Sequence, residues 1–423
     1  MPRLLIKNAL LIDPVLGESR GDLLLAGGKI LRAGRKLAPP HGCEVFDASG
    51  LWVFPGFIDI HVHAREPGAE AAETLASAAL AAAAGGITSM LLMPNTSPPI
   101  ASPALLRKYA ARAKGLPVNV YFSAAATAWR AGGEPSCLAA LKKAGARAFT
   151  DDGSCLPGGA LAGLIKGAAA LGLPLLDHPE DFSRTAAGVA APAAARRLGL
   201  APIPPEAEAF AVLRDILAAA SHGPLHLQHL SLAASVAALR RAKKLGWPVT
   251  GETCPHYFSL SERAIRKDDA NFKMKPPLRP EADRRAVLRG LADGTIDIIA
   301  SDHAPHERRL KEKGFAGAPF GVIGLETLAA LCVTKLVLEE HISKTRLARL
   351  LSANPAALLG LKNKGSLRPG RDADLTIIDP RRRRRVPEKF VSKSSNSPFT
   401  GLPLSGWPAA AVVAGKIVRS GIC

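Results

Sequence analysis

The chain has 423 residues, of which 48% are hydrophobic, enough to build a large apolar core. It contains no run of about 18 apolar residues, and residues 1–20 alternate charged and apolar side chains, so neither a transmembrane helix nor a signal peptide is predicted. The net charge is +19, but the charge is dispersed, aromatic residues make up only 5%, and no nucleic-acid motif appears; this favours attraction of anionic substrates, or an acidic partner, over nucleic acid.

The cysteines indicate a reducing environment. Six of them are scattered without CxxC spacing, which argues against a zinc ribbon or a disulfide framework and predicts a cytoplasmic protein. None has the sequence context of a catalytic nucleophile. They are Cys43, Cys137, Cys155, Cys254, Cys332 and Cys423.

Short strands are predicted at both ends of the chain. They are Leu4–Ala9, Asp22–Leu25, Lys29–Leu31, Asp374–Ile378 and a segment at Ala411–Val418. Gly27-Gly28 predicts a tight hairpin turn. Because the few strands of either end alone would be marginally stable, the two ends are predicted to pair into one β-sandwich module, residues 1–53 with 365–423. The arginine run Arg381–Arg385 is interpreted as a solvated turn.

Between the two ends, apolar runs alternate with helical stretches such as Glu73–Ala84. The predicted strands are Trp52–Ile60, Thr88–Met93, Val118–Ala124, Ala146–Thr150, Leu173–Asp177, Leu225–His229, Pro248–Glu252 and Ile296–Ala300. About eight parallel-type strands separated by helices are typical of a (β/α)8 TIM barrel. The fold class is therefore α/β, with a barrel over residues 54–364.

Two histidines end the first barrel strand. In an extended strand, residues i and i+2 project to the same face, so His61 and His63 can reach one metal ion. Arg65 follows two places later, where it could meet an anionic substrate. A lone His-x-His pair is weak evidence, but this one ends a buried strand and leads into Arg-x-Pro.

More polar residues follow other predicted strands, at the edge where such a barrel carries its active site. They are Asn95, Asp151, Asp152, His178, His229 and Asp302. Taken singly, each has an ordinary structural explanation, such as a turn aspartate or a core histidine. Together, imidazoles and carboxylates suit a catalytic zinc site, and two carboxylates help to neutralise two dications that hold a hydroxide between them.

Several strings carry a resemblance to a known family: PGFIDIHVHAREPG, AAAAGGITSMLLMPNTSPP, AFTDDG, DHPED, SDHAPHE and APFGVIGLET. The chain resembles dihydroorotase of the longer bacterial type, in the amidohydrolase superfamily, over essentially its whole length. The resemblance implies reversible cyclisation of N-carbamoyl-L-aspartate to (S)-dihydroorotate in pyrimidine biosynthesis.

The resemblance also implies the site residues. His61, His63 and Asp302 would hold one zinc ion, His178 and His229 would hold a second, and Asp151 with a hydroxide would bridge the two. Asp151 is chosen over Asp152 because the family uses the first aspartate of the pair. The residues implied to bind the substrate are His63, Arg65, Asn95, His306, and the backbone of Phe320 and Gly321.

Lys275 departs from the family pattern. It stands where many relatives have an asparagine that contacts the substrate. An ammonium can still donate to a ring carbonyl, but it has no acceptor. Lys275 is therefore predicted to bind the substrate in an altered way.

The expected mechanism is attack of the bridging hydroxide on the ring carbonyl. Asp302 would accept the hydroxide proton and deliver it to the departing ring nitrogen. The charged segment Glu307–Ala318 is either a mobile lid or an ordinary surface loop.

Two alternatives remain open. One is another cyclic amidase, such as a hydantoinase, dihydropyrimidinase or allantoinase, although these carry a lysine at the position of Asp151. The other is a non-catalytic dihydroorotase-like subunit that supports aspartate transcarbamoylase, although such paralogues lose ligands. The resemblance also leaves open a complex with that transcarbamoylase and a homodimer.

Overall fold

A computed structural model describes residues 3–185 and 187–420. Cys423 lies outside these residues, and the other five cysteines are free thiols. None of the helices in the described ranges combines the length and apolarity needed to cross a lipid bilayer.

The strands fall into three sheets. In chain order they are β1 (Arg3–Asp13), β2 (Gly17–Ala26), β3 (Lys29–Gly34), β4 (Cys43–Asp47), β5 (Trp52–Pro55), β6 (Phe57–Val62), β7 (Ile87–Leu92), β8 (Asn119–Ala124), β9 (Ala146–Phe149), β10 (Leu176–Asp177), β11 (Leu225–Leu227), β12 (Val249–Thr253), β13 (Ile298–Ile299), β14 (Leu375–Arg385), β15 (Pro403–Val413) and β16 (Lys416–Ser420).

The helices lie mainly between the strands of the middle region. They are α1 (Leu75–Ala84), α2 (Pro103–Arg112), α3 (Leu138–Ala144), α4 (Gly158–Ala170), α5 (Pro192–Leu198), α6 (Glu206–His222), α7 (Ala233–Lys244), α8 (Pro255–Ser259), α9 (Glu281–Asp293), α10 (Arg308–Lys311), α11 (Gly314–Gly317), α12 (Leu328–Cys332), α13 (Lys344–Ala348) and α14 (Asn354–Leu358). Single 3₁₀ turns occur at Ala128–Arg130, Phe182–Arg184, Glu262–Ala264 and Ala270–Phe272, and π-helical turns at Val333–Leu338 and Arg349–Ala353.

Strands from both ends of the chain meet in one eight-stranded sheet. Its order is β16-β15-β14-β5-β1-β2-β3, with β4 paired to β1. The two ends join where β5 runs antiparallel to β14, with Pro55 opposite Leu375. Gly27 and Gly28 connect β2 to β3 with φ of 58° and 76°, the left-handed backbone that this two-residue hairpin requires.

The middle region contains two four-stranded parallel sheets, β6-β7-β8-β9 and β10-β11-β12-β13. Single parallel bridges connect them, from Phe149 to Leu175 on one side and from Val62 to His303 on the other. Every residue of β6 and β7 is buried, as expected of parallel strands covered on both faces. The carboxyl ends of these strands therefore meet at a common edge.

The apolar run Trp52–Ile60, predicted as one strand, is two. It divides at Gly56 between β5, in the terminal sheet, and β6, in the parallel sheet. A Cβ atom at Gly56 would lie 2.1 Å from Thr88 Oγ1, so only glycine allows β6 to approach β7 this closely. The apolar pattern continues through the break because both strands are buried.

The arginine run is not a turn, as the sequence suggested, but the end of β14. Its side chains alternate in exposure, as a strand requires: Arg381, Arg383 and Arg385 are exposed, and the others are partly covered. The guanidinium of Arg384 lies 3.8 Å from the centre of the Trp407 ring, which gives the strand a packing partner that the local sequence does not reveal.

Candidate metal centre and substrate pocket

The strand ends bring the predicted ligands together in space. His61 is in β6, and His63 follows it directly; His178 follows β10, His229 follows β11 and Asp302 comes three residues after β13. All of these side chains are buried. His229 and Asp302 have φ of 34° and 46°, left-handed values that non-glycine residues adopt at a cost and that concentrate at functional sites.

Two carboxylates, those of Asp302 and Asp152, lie close to both His61 and His63. Asp302 Oδ1 lies 3.2 Å from His63 Nε2 and 3.5 Å from His61 Nε2. Asp152 Oδ1 lies 3.1 Å from His61 Nε2, and its Oδ2 lies 3.5 Å from His63 Nε2. Both carboxylates therefore point at the same pair of imidazoles.

His178 and His229 complete the cluster on the side of Asp152. His178 Nδ1 lies 2.8 Å from His229 Nε2 and 3.6 Å from Asp152 Oδ1. His229 Nε2 lies 4.0 Å from the same carboxylate oxygen. Asp152 is thus the one carboxylate that reaches all four histidines among the described residues.

The cluster has the properties of a metal site. Ligand atoms of His61, Asp152 and His229 lie within 4.8 Å of one another, as do those of His61, His63 and Asp302. The buried atoms His61 Nε2 and Asp152 Oδ1 face each other at 3.1 Å, but neither makes a hydrogen bond of good geometry within the described structure. Buried polar atoms normally have partners, and imidazole with carboxylate is a donor set that zinc prefers, so these residues fit a metal ion.

Protonation of the histidines and ionisation of the carboxylates are coupled in this cluster. Burial alone would lower the pKa of His61 and His178, but the neighbouring carboxylates, Asp152 foremost, raise that of His61 well above its usual range and that of His178 to about 9, so a metal ion would displace protons from these rings. Burial alone would raise the pKa of Asp152, but the adjacent His61 holds it well below the usual range. The pKa of Asp302 is likewise lowered, against the effect of burial, chiefly by His61. Burial, and then the neighbouring His178, lower the pKa of His229 to about 3, which leaves it neutral and able to coordinate.

Asp151, the residue predicted to bridge the metals, lies outside this cluster. Its Oδ1 accepts hydrogen bonds from the backbone N–H groups of Ala126 (2.9 Å) and Thr127 (3.1 Å), and its Oδ2 accepts one from the Thr127 hydroxyl. The choice of Asp151 over Asp152 is therefore corrected. Asp151 shapes the loop after β8, and the adjacent Asp152 faces the imidazoles.

Two glutamates that were not predicted from the sequence contact the ring nitrogens of His61 and His178 that do not face the cluster. Glu252 Oε1 lies 2.7 Å from His61 Nδ1, and its Oε2 lies 3.3 Å from His226 Nε2. Glu180 Oε2 lies 2.9 Å from His178 Nε2. A carboxylate on the second ring nitrogen fixes the tautomer and orientation of a metal-binding histidine. The sequence did contain one indication of the role of Glu252, because this residue lies in the predicted strand that follows the strand of His229.

A cavity of about 250 Å³ opens above the cluster. The residues predicted to bind the substrate all line it: His63, Arg65, Asn95, Lys275, His306, Phe320 and Gly321. Arg65 has left-handed backbone (φ 57°), and burial lowers its pKa to about 10, so it remains charged at neutral pH. Its Nε donates to the Pro305 carbonyl at 3.0 Å, and its Nη2 lies 3.2 Å from His306 Nε2.

Asn95 contacts the cluster as well as the cavity. Its Oδ1 accepts a hydrogen bond from His63 Nδ1 at 2.8 Å, and its Nδ2 donates to Asp152 Oδ2 at 3.4 Å. The first bond leaves His63 Nε2 free to face the carboxylates. Asn95 therefore orients a candidate metal ligand in addition to lining the cavity.

The segment Glu307–Ala318, predicted as a lid or a surface loop, forms α10 and α11 and is anchored beside the cavity. The buried ammonium of Lys311 donates to the carbonyls of Lys273 (3.3 Å), Pro319 (3.0 Å) and Gly321 (2.9 Å). Lys273 Nζ donates to the Ala318 carbonyl at 2.6 Å. These contacts favour a fixed wall over a mobile lid.

Comparisons with known proteins identify the family of the chain. The family described as Dihydro-orotase-like matches residues 50–234, and the Amidohydrolase family matches residues 204–418. Among curated relatives, the Dihydroorotase of Pelotomaculum thermopropionicum is 44% identical, covering 98% of each chain, and that of Thermus aquaticus is 40% identical, covering 99% of this chain and 100% of its own.

Solved structures show the same fold. An L-hydantoinase (dihydropyrimidinase) from Arthrobacter aurescens superposes with a TM-score of 0.90 at 26% identity, over 99% of this chain and 96% of its own. A dihydropyrimidinase from Brevibacillus agri gives a TM-score of 0.87 at 25% identity, over 99% and 95%. The α/β fold is therefore that of the hydantoinase-like amidohydrolases.

Proposed function

The chain belongs to the dihydroorotase family of amidohydrolases, and we propose that it interconverts N-carbamoyl-L-aspartate and (S)-dihydroorotate at the cluster described above. It is a cyclic amidohydrolase of pyrimidine biosynthesis, as the sequence motifs indicated. The observation that carries the proposal is one of geometry. Two buried sets of metal-binding atoms share His61, and the other members of both sets line a cavity whose wall contains the partly buried Arg65.

Two zinc ions fit the donors present. His61, His63 and Asp302 would hold one ion, and His178 and His229 the other, with Asp152 in place of Asp151 as the carboxylate between them. When bound, such a pair polarises the ring carbonyl and lowers the pKa of water, which makes a nucleophile available at neutral pH. Glu252 and Glu180 support the site by orienting His61 and His178.

Asp302 is the proposed proton carrier. Its pKa is held low, so at neutral pH the carboxylate is ionised and can accept the proton of the attacking water. It then donates this proton to the ring nitrogen as the amide bond breaks. In the biosynthetic direction, the same oxygen takes the proton from the ureido nitrogen as the ring closes.

Arg65 and His306 are proposed to hold the carboxylate that both substrate and product carry. Arg65 supplies charge, and planar guanidinium donors match a carboxylate. Burial, and then the charge of Arg65, lower the pKa of His306 to about 3, so it acts as a neutral hydrogen-bonding group. The backbone of Phe320 and Gly321 lies beside them, held in part by the 2.7 Å contact from His306 Nε2 to the Phe320 carbonyl.

The same features weigh against the two alternatives. A hydantoinase substrate lacks the ring carboxylate, and the partly buried guanidinium of Arg65, whose protein contacts are the Pro305 carbonyl and His306, would then have no anionic partner. A non-catalytic subunit has no need of six converging ligands, yet the described structure retains a complete set. The cavity chemistry therefore favours dihydroorotate.

The strand pairings also support a proposal for the two domains. We propose that β6–β13 form the (β/α)8 barrel of residues 54–364, supported by the bridges at Leu175 and His303 that connect the two parallel sheets. Residues 1–53 and 365–423 would form the β-sandwich module, supported by the β5–β14 pairing. A cytoplasmic location, a homodimer and a transcarbamoylase complex stay predictions.

The test is hydrolysis by the purified chain with and without zinc, alongside a measurement of metal content. We expect about two zinc ions per chain and zinc-dependent hydrolysis of dihydroorotate. This should be at least about 100-fold faster than hydrolysis of hydantoin or allantoin, because those lack the ring carboxylate that the guanidinium of Arg65 would bind. A faster reaction with hydantoin would contradict the substrate, and zinc-loaded protein inactive on all three would contradict the enzyme.

A further inference from the structure

Lys275 lies on the cavity wall next to the cluster, but its ammonium already has a protein partner. Lys275 Nζ is 3.1 Å from Glu180 Oε1, and the lysine side chain is only 17% exposed. The same ammonium lies 4.2 Å from the centre of the Phe182 ring and 5.3 Å from that of Phe320. One carboxylate and two aromatic faces thus fix its position.

Glu180 connects Lys275 to the metal centre. Its other oxygen, Oε2, lies 2.9 Å from His178 Nε2, so one carboxylate contacts both the ammonium and the imidazole. With Nε2 engaged, His178 presents Nδ1 to Asp152 and His229. The orientation of a candidate zinc ligand therefore depends on where the Glu180 carboxylate is held.

The charge of Lys275 matters because Glu180 is buried close to other carboxylates. The glutamate side chain is 4% exposed, and Asp152 lies just beyond His178. A buried carboxylate without a cation is costly, so it tends to move away from a position that it holds only in the presence of that cation. An asparagine at position 275 carries no charge and cannot offset this cost.

We infer that Lys275 is a positioning residue of the metal centre, acting through Glu180 to hold His178 in the orientation that binds zinc. The inference rests on the proposed function, because it assumes that the cluster holds zinc. It differs from the substrate contact predicted for this position, since the ammonium acts on a protein carboxylate and not on the ring. Lys275 and Glu180 then form one unit, and removal of either partner should have the same consequence.

The test is a double-mutant cycle with Lys275→Met, Glu180→Gln and the double variant, all loaded with zinc. The first readout is the rate at which a chelator removes zinc, and the second is kcat and KM for dihydroorotate. We expect each single variant to lose zinc from one of its two sites about tenfold faster, the size of effect typical for a group that orients a ligand. The double variant should be no faster than the singles, because both changes break the same connection.

Two controls separate a specific effect from general damage. Lys275→Arg keeps a cation and should retain zinc almost as the unchanged chain does. Lys143→Met removes an exposed lysine in α3, remote in the sequence from the site segments, and should leave zinc loss and kinetics unchanged.

Zinc loss at the unchanged rate in Lys275→Met, with a raised KM, would overturn the inference in favour of direct substrate contact. Additive effects in the double variant would also overturn it. An unmodified chain that retains no zinc would overturn the proposed function, and this inference with it.

Discussion

Two buried charged clusters in the same molecule behave differently. The first is the candidate metal centre, where His61 Nε2 and Asp152 Oδ1 are buried and lie 3.1 Å apart, but neither makes a hydrogen bond of good geometry in the described structure. The second, here called the Glu208 cluster, consists of Glu208, Ser231, Ser235 and Arg279.

In the Glu208 cluster, the carboxylate is satisfied by the protein itself. Its Oε1 accepts from the backbone N–H of Ser231 at 2.9 Å and from the Ser235 hydroxyl at 2.8 Å. Its Oε2 accepts from the Ser231 hydroxyl and lies 3.2 Å from Arg279 Nη2. This cluster connects α6 to the segments after β11 and before α9. Both oxygens of its carboxylate have protein partners, and Arg279 Nη1 is its one buried polar side-chain atom without a hydrogen bond in the described structure.

The difference between the clusters distinguishes buried charges that stabilise the fold from buried charges that bind a ligand. Removal of one partner of a satisfied buried pair leaves the other charge buried without a partner, which lowers the stability of the whole fold. Converging charges with unpartnered atoms lower stability unless an ion occupies them, so a fold retains them for chemistry. The two clusters should accordingly respond in opposite ways to substitution.

The largest effect is expected for Asp302→Asn in the metal centre. Loss of the proton carrier should lower kcat/KM for dihydroorotate by about a thousandfold, within the usual range for a general acid–base group. The free energy of unfolding, measured by urea titration of the metal-free protein, should change little, because asparagine keeps an oxygen for the contact with His63 Nε2 and Asp152 remains beside His61. A large loss of stability with activity retained would place Asp302 with the structural residues.

The opposite pattern is expected for Glu208→Ala. Removal of this carboxylate leaves Arg279 buried without its partner, which should lower the free energy of unfolding by about 3 kcal/mol. Activity per folded molecule should stay within a few-fold of the unchanged chain at a temperature where the variant is folded. Loss of activity without loss of stability would contradict the distinction between the clusters.

The sequence indicated most of the metal centre because its ligands follow strand ends. His61, His63, His178, His229 and Asp302 could be placed at one edge by the alternation of strands and helices alone. What it could not indicate were contacts set by distant segments. Glu252 orients His61 across 191 positions of the chain, and the Lys275–Glu180 pair depends on two loops that only the fold brings together.

Predictions from local sequence differ from the structure where contacts with distant residues determine the conformation. The run Arg381–Arg385 has the composition of an exposed turn, but pairing with β15 and the ring of Trp407 keep it in a strand. Asp151 and Asp152 are chemically identical neighbours. Which of them faces the imidazoles is set by the donors of Ala126 and Thr127, more than twenty residues earlier.

The same comparison applies to these two neighbouring aspartates. Both carboxylate oxygens of Asp151 accept hydrogen bonds from the protein, whereas Asp152 Oδ1 accepts none of good geometry in the described structure. Asp152→Asn should reduce zinc retention and lower kcat/KM by at least about 100-fold, since an amide replaces the charged oxygen between the histidines. Asp151→Asn keeps an acceptor for the two N–H groups, so it should cost about 1 kcal/mol of unfolding free energy and only a few-fold in kcat/KM. Zinc content, steady-state kinetics and urea titration of the two variants, measured side by side, provide the check. If Asp151→Asn lost zinc and Asp152→Asn kept it, the family-based choice of the first aspartate would stand and the geometric assignment would fail.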